Sequence, residues 1–311
     1  MKESLMPQSH KTGPLSLAAR CWWRALKDTF NGFRNKNLGD RAAGLTYYAV
    51  LSMFPMLIVL VALLGLLGQD PQTTNAILNI IDDLGPNSAA DTFRGPIEDV
   101  VRSKSGAGAV LGVGLVVAMW SASGYIGAFM RASNEINDVD ESRPFWKLRP
   151  LHIAMTFVML VLMALLAIML VLTGDLARAI GEQIGLRDTA VEVWSIVRWP
   201  LLLVAMMAVV GSLYFVAPSV GPRGVRWITP GGILSVLLWL AASAGFALYV
   251  SHFGDFNKTY GSLGAVIVFL VWLWISNAAL LLGVQFNVAL ERTRRLDTAK
   301  PAERELETAT L

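Results

Sequence analysis

Ser121-Ala-Ser-Gly124, followed by Gly127, is the one run in this chain that suits a nucleophile. A serine attacks only when a general base comes within ~3 Å of its hydroxyl. Three histidines could serve: His10, His152 and His252. Only His152 shares a depth with Ser123, judged by position along the apolar segments. The plainer reading is close helix packing on small residues, and it explains the run better. No catalytic residue is therefore assigned. His, Cys, Asp and Glu nowhere take metal-ligand spacing, and no Walker-type glycine loop occurs. Neither a metal nor a cofactor is expected. A nuclease would need such groups in a wet pocket, and no segment is large and polar enough to build one, so nucleic acid is not expected as a partner.

The remaining polar residues of interest sit inside apolar stretches. Tyr48, Ser52 and Pro55 share one helical face by their i, i+4, i+7 spacing. Pro55 has no N–H, which leaves the carbonyl of Leu51 short of a partner close to Ser52. The last apolar stretch carries Ser276, Asn277, Gln285 and Asn287. Amides in lipid must meet other helices or a cavity. Two readings stay open: bonds between helices, or the lining of a path. If a path exists, Arg41, Tyr48, Ser52, Pro55, Asn277 and Gln285 are expected along it, with Arg41 at the inner mouth. For Arg41 a role in anchoring topology is the plainer one.

These residues are held by six stretches long enough to cross a bilayer: Leu45–Gly68, Gly106–Phe129, Leu151–Thr173, Trp194–Ala217, Ile228–Val250 and Leu263–Leu290. A helix rises ~1.5 Å per residue, so ~20 apolar residues cross a ~30 Å hydrocarbon core. None has a charge in its middle; Arg198 lies near the start of the fourth. Hydrophobic residues make up 54% and charged residues 16%, where a soluble domain averages ~25% charged. The fold class is all-α: a polytopic bundle of six transmembrane helices with an N-terminal amphipathic interfacial helix. Residues 1–44 form the cytoplasmic N-terminal segment, 45–290 the membrane domain with a helical outside loop at 69–105, and 291–311 a charged cytoplasmic tail.

Charge sets the orientation. One side carries 19 Lys/Arg and the other 7, whereas acidic residues divide 12 to 11. Lys/Arg excess marks the cytoplasmic side, so both termini are expected there. The lone cysteine, Cys21, excludes an intrachain disulfide. The first apolar run begins too far in for a cleavable signal, so the first span is expected to act as the anchor.

Residues 19–34 have the pattern of a helix lying in the headgroup region. Trp22, Trp23, Leu26, Phe30 and Phe33 fall within a ~100° arc, backed by Arg20, Arg24, Lys27 and Arg34. The alternative is a helix packed beneath the bundle. Asn37-Leu-Gly-Asp40 is expected to break it, with Asp40 as N-cap of the first span. In the loop, Ile77, Ile80, Ile81 and Leu84 give one amphipathic set, and Ile97–Arg102 a second. Small-residue rows at Gly108/Gly112, Gly114/Ala118/Ala122 and Ala241/Gly245 read as packing seams.

Asp40-Arg-Ala-Ala-Gly-Leu-Thr-Tyr-Tyr-Ala-Val-Leu-Ser-Met-Phe-Pro55 resembles the first-span signature of the YihY/BrkB family of bacterial inner-membrane proteins. So do Trp120–Asn134, Val216-Ala-Pro218, Pro230-Gly-Gly232, Tyr260-Gly-Ser-Leu-Gly264 and Leu282-Gly-Val-Gln-Phe-Asn287. The likeness covers about 20–295. It implies an envelope or export role, and it brings an old transfer-RNA-processing ribonuclease label that the residues do not support. Many members have Glu in the last span where this chain has Gln285, so a mechanism needing that carboxylate does not carry over. Ser121–Gly124 is also similar to the Gly-x-Ser-Gly setting of rhomboid-type proteases, with serine replacing the first glycine.

The expected function is transport or flippase-like export of a lipid or amphipathic small molecule, with membrane lipids as partners and oligomerisation left open. A non-transporting structural protein is the alternative, and an intramembrane serine hydrolase the more distant one.

Overall fold

The computed structural model describes residues 19–67, 107–171, 188–219, 229–252 and 262–298. Among them the chain is all helical, with seven helices and no strand. These are α1 (Ala19–Asn35), α2 (Leu38–Leu67), α3 (Ala107–Ile136), α4 (Phe145–Val171), α5 (Asp188–Val216), α6 (Pro230–His252) and α7 (Ser262–Thr298). Within them, Phe145–Met163, Val193–Val216, Pro230–Val250 and Val266–Leu296 are long and apolar enough to cross a membrane. The amphipathic sets expected in the 69–105 loop, the 253–261 connection and the tail beyond 298 lie outside the described residues.

The helices carry their apolar side chains outward. Val116 is 69% exposed and Val204 64%, the reverse of a soluble bundle and the arrangement that lipid solvates. Hydroxyls turn back onto their own helices instead: Thr29 donates to Ala25 O, Thr156 to His152 O, Ser212 to Ala208 O and Thr293 to Ala289 O. Each bond satisfies a hydroxyl that hydrocarbon could not.

The chain divides into two compact units. The first comprises Met1–Ala42, Ala132–Asp140 and Met206–Leu311. Here α1 lies on α7, burying Ala25 with Phe286, Ala289 and Leu290, and Trp22 packs on Phe286. The buried side of α1 is a row of small residues, Cys21, Ala25 and Thr29, continued by Gly32 against Gln285. Trp23, Leu26 and Phe30 of the aromatic arc remain exposed. The packed face of α1 thus consists of the small row together with Trp22, as the reading of a helix packed on the bundle expects.

The break after α1 falls at Lys36–Asn37, earlier than expected. Asn37 adopts φ 49°, the left-handed conformation that Asn tolerates at a helix end. Asp40 lies inside the first turn of α2, where its charge complements the helix dipole without serving as the cap. Lys36 Nζ donates to the carbonyls of Glu135 and Ile136 and meets Asp138 Oδ1 at 2.6 Å. An ammonium there satisfies orphan carbonyls at the end of α3.

The α6–α7 seam is built by glycines. A Cβ on Gly283 would overlap Gly231 O, Ser235 Oγ and Tyr214 OH, and one on Gly231 would overlap Gly283 O. Tyr214 OH and Ser235 Oγ lie 2.5 Å apart, and each also reaches a carbonyl of α7, Leu280 and Ala279 respectively. Two hydroxyl protons serve three contacts. Trp239 Nε1 donates to Ser276 Oγ at 3.0 Å and Trp272 Nε1 to Ser243 Oγ at 3.2 Å. The expected Ala241/Gly245 row is not the seam: both residues are exposed, and nothing lies within 4 Å of a Cβ on Gly245. Gly112 is likewise open. Glycine spacing marks a helix face on which close approach is feasible, and apolar lipid leaves the choice between two such faces to packing.

The second unit comprises Ala43–Arg131 and Glu141–Ala205. Leu45, Ile126, Phe129 and Met130 are buried there, with Met155 of α4. Pro150 and Pro200 lie within α4 and α5, as membrane helices tolerate.

Candidate functional site

Of the six residues expected along a path, Arg41, Asn277 and Gln285 belong to the first unit and Tyr48, Ser52 and Pro55 to the second. Arg41 forms an ion pair with Glu135 at the end of α3. Both side chains are partly exposed, so the pair is worth at most about 1 kcal/mol. Asn277 is buried on α7. Gln285, also buried, presses against Gly32 of α1, and its Oε1 has no hydrogen-bond partner. Of the other polar residues in the last span, Ser276 bonds Trp239, and Asn287 accepts from Gly231 N at 2.8 Å and donates to Thr229 Oγ1 at 3.0 Å. Those two bond helix to helix, as one of the sequence readings expects.

Asn287 has a further task that spacing along the chain does not disclose. Thr229 precedes α6 and accepts from Gly232 N at 3.0 Å, with Pro230 at the first helical position. This is a Thr cap followed by Pro, and Asn287 of α7 satisfies the next free N–H, that of Gly231.

In the second unit, Tyr48 packs on α3, where a Cβ on Gly124 would lie 3.3 Å from its Cδ1. The guanidinium of Arg131 lies 6.0 Å from its ring centre. Ser52 donates to Ala49 O at 2.7 Å, not to the carbonyl of Leu51. Pro55 lies within α2, which runs through it to Leu67; its side chain is outside the described residues.

Ser123 and His152 are both buried. The Ser123 hydroxyl donates to Trp120 O at 2.6 Å, on its own helix. No hydrogen bond joins it to His152, whose Nε2 has no partner. Among the described residues, no histidine or carboxylate forms a hydrogen bond with this serine. No group of three His, Cys, Asp or Glu side chains suited to a metal occurs among the described residues.

The Virulence factor BrkB family matches residues 29–307, nearly the whole chain. The chain belongs to the BrkB family. Among BrkB relatives, the Bacillus subtilis (strain 168) protein described as putative ribonuclease-like protein YfkH is 30% identical over 277 residues, covering 89% of this chain and 98% of that one. A UPF0761 membrane protein of Alkalilimnicola ehrlichii is 26% identical over 270 residues, 83% of this chain and 56% of the relative. One from Kangiella koreensis is 25% identical over 279 residues, with 87% and 65% covered. This chain therefore spans between about half and two thirds of the length of those UPF0761 relatives. No solved structure matches. The BrkB assignment makes this a membrane protein, in agreement with its apolar helices.

Proposed function

We propose that this chain is a multi-pass protein of the bacterial inner membrane that moves a lipid or amphipathic small molecule and so contributes to envelope integrity. In this reading α2 to α7 are the six spans, α1 lies in the headgroup region by its exposed aromatic row, and both termini are cytoplasmic. The observation that carries the transport reading is Gln285 Oε1, a buried amide oxygen without a partner on a membrane-crossing helix. Leaving such a group unmade costs ~1–3 kcal/mol, and exceptions of this kind call for a ligand or a function. A non-transporting structural role is the second reading, favoured by the bonds of Ser276 and Asn287 between helices.

Vesicles holding the purified chain test the proposal by the movement of a fluorescent phospholipid between leaflets. Gln285→Leu removes the lone oxygen, so it is expected to keep or raise Tm while movement is lost. Tyr48→Phe, Ser52→Ala and Asn277→Ala are expected to reduce movement with stability within ~1 kcal/mol of wild type. If all four changes alter only stability, or the wild type moves neither labelled lipid, osmolyte nor peptide, the structural reading stands.

Orientation is tested separately. A reporter active only outside the cytoplasm, fused after Leu311, is expected to stay silent, and signal from it would overturn the topology. The reading is also non-enzymatic. RNA cleavage that co-purifies with the chain and disappears in a point variant would overturn that part.

A further inference from the structure

Trp120, Gly124, Gly127 and Arg131 recur at helical spacing on one face of α3, and Phe145, Arg149 and His152 do so on α4. The structure gives these faces a shared chemistry. The Arg149 guanidinium lies 4.9 Å from the Trp120 ring centre and 5.4 Å from that of Phe145. Arg131 covers the ring of Tyr48. His152 enters beside Gly127: a Cβ there would lie 2.9 Å from its Cε1 and 3.4 Å from an Arg131 guanidinium nitrogen. The charges of Arg149, Arg131 and Arg143, and the opposite charge of Glu141, reach the His152 ring.

Among the described residues Glu141 is the one acid whose charge reaches this cluster, against three arginines. Neither Arg131 nor Arg149 pairs with a carboxylate, and the neighbouring acid Glu141 is held by Arg143 at 3.4 Å. His152 is 6% exposed, yet its Nε2 has no hydrogen-bond partner. Two guanidinium groups resting on aromatic faces keep their N–H forks free, and a buried imidazole nitrogen stands beside them. Arg131 is exposed and Arg149 half-buried, so both forks are open to a ligand, and the unmade hydrogen bond of the buried His152 is costly. An anion that accepts hydrogen bonds would complement all three groups.

We infer that Arg131, Arg149 and His152 bind the phosphate of an anionic phospholipid headgroup, with Tyr48 and Trp120 bordering it. Arg suits this task, because its planar fork meets phosphate oxygens in pairs. Its place, where α3 ends and α4 begins, falls on the side that the basic excess makes cytoplasmic, where anionic headgroups are concentrated. The inference deepens the transport reading by naming the class of molecule bound, and binding is measured apart from movement.

The test uses the full chain in neutral detergent, titrated with dioctanoyl phosphatidylglycerol, dioctanoyl phosphatidylcholine and inorganic phosphate. Binding is read by intrinsic tryptophan fluorescence and by native mass spectrometry. Phosphatidylglycerol is expected to saturate at least about tenfold more tightly than either comparison compound. Arg149→Gln and Arg131→Gln are each expected to weaken it about tenfold, the scale of one charged hydrogen bond. Arg149→Lys should retain part of that loss, and the neighbouring exposed Lys147→Gln should bind as wild type. His152→Phe keeps a ring and removes the nitrogen, so weaker binding at unchanged Tm is expected. Equal affinity for inorganic phosphate would make the ligand a free anion and overturn the lipid assignment. Equal loss in Lys147→Gln would reduce the effect to diffuse attraction and overturn the site, as would silent arginine substitutions. If phosphatidylglycerol binds as expected but no lipid moves in vesicles, the site stands and the transport reading falls.

Discussion

Gly283→Ala is expected to lower the thermal stability of the detergent-solubilised chain more than any other single-methyl change among the described glycines. The added Cβ would overlap three atoms at once: the backbone oxygen of Gly231, the hydroxyl of Ser235 and the hydroxyl of Tyr214. A hydroxyl can swing aside, but the Gly231 carbonyl moves only with the helix that carries it. Overpacking typically costs ~1–3 kcal/mol and more where backbone must shift. Parting α6 from α7 also stretches the contacts of Tyr214 and Ser235 with the Leu280 and Ala279 carbonyls. A total of about 3 kcal/mol or more is the expected loss. Gly245→Ala provides the matched comparison, since nothing lies near its Cβ; it should melt within ~1 kcal/mol of wild type. Equal melting of the two variants would mean that the seam is not held by backbone contact.

Asn287→Leu is expected to cost about 2 kcal/mol. Leucine fills a similar volume but can neither accept from Gly231 N nor donate to Thr229 Oγ1. The free N–H at the start of α6 then has no acceptor, and an orphaned backbone donor costs ~1–3 kcal/mol. Thr229→Ala removes the companion cap and should cost about 1 kcal/mol. Because Asn287 contacts Thr229 directly, the two losses should fall short of additive in the double variant. Full additivity in thermal melts would show that the caps act independently and that the interhelical bond contributes nothing.

Four of the six expected spans are legible because length and hydropathy are properties of a segment alone. Phe145–Met163, Val193–Val216, Pro230–Val250 and Val266–Leu296 overlap the last four expected stretches. Which side of each helix turns inward was less so. In water, burial sorts apolar from polar residues; in lipid both sides are apolar, and only small or polar side chains distinguish them. Ala241/Gly245 and Gly231/Ser235 have the same four-residue spacing, and only the second pair meets a glycine on the facing helix. The signal that was present was Pro230-Gly-Gly232 together with the glycine of Leu282-Gly-Val-Gln285, two motifs that need each other. The amides of the last span were recognisable as groups needing partners. Asn287 finds its partner on Gly231, a choice set by a neighbour 56 positions away. On α1 the aromatic arc is the stronger pattern in the sequence, while the buried row is made of the small residues Cys21, Ala25 and Thr29, with Trp22 at its border.

The arrangement of α1 makes its rotational setting discrete. Small residues, large aromatics and charges occupy three successive sectors around its axis, roughly 100° each at the helical spacing. A single inserted residue between Trp23 and Gly32 would turn everything beyond it by one sector. With the C-terminal end fixed, the aromatic row upstream would be driven toward α7 and charges would take its place; with the N-terminal end fixed, the charges downstream would be driven toward α7. The helix therefore behaves like a keyed shaft. It tolerates many substitutions within a sector and no change in phase, so length variation among working homologues is expected to fall outside this segment.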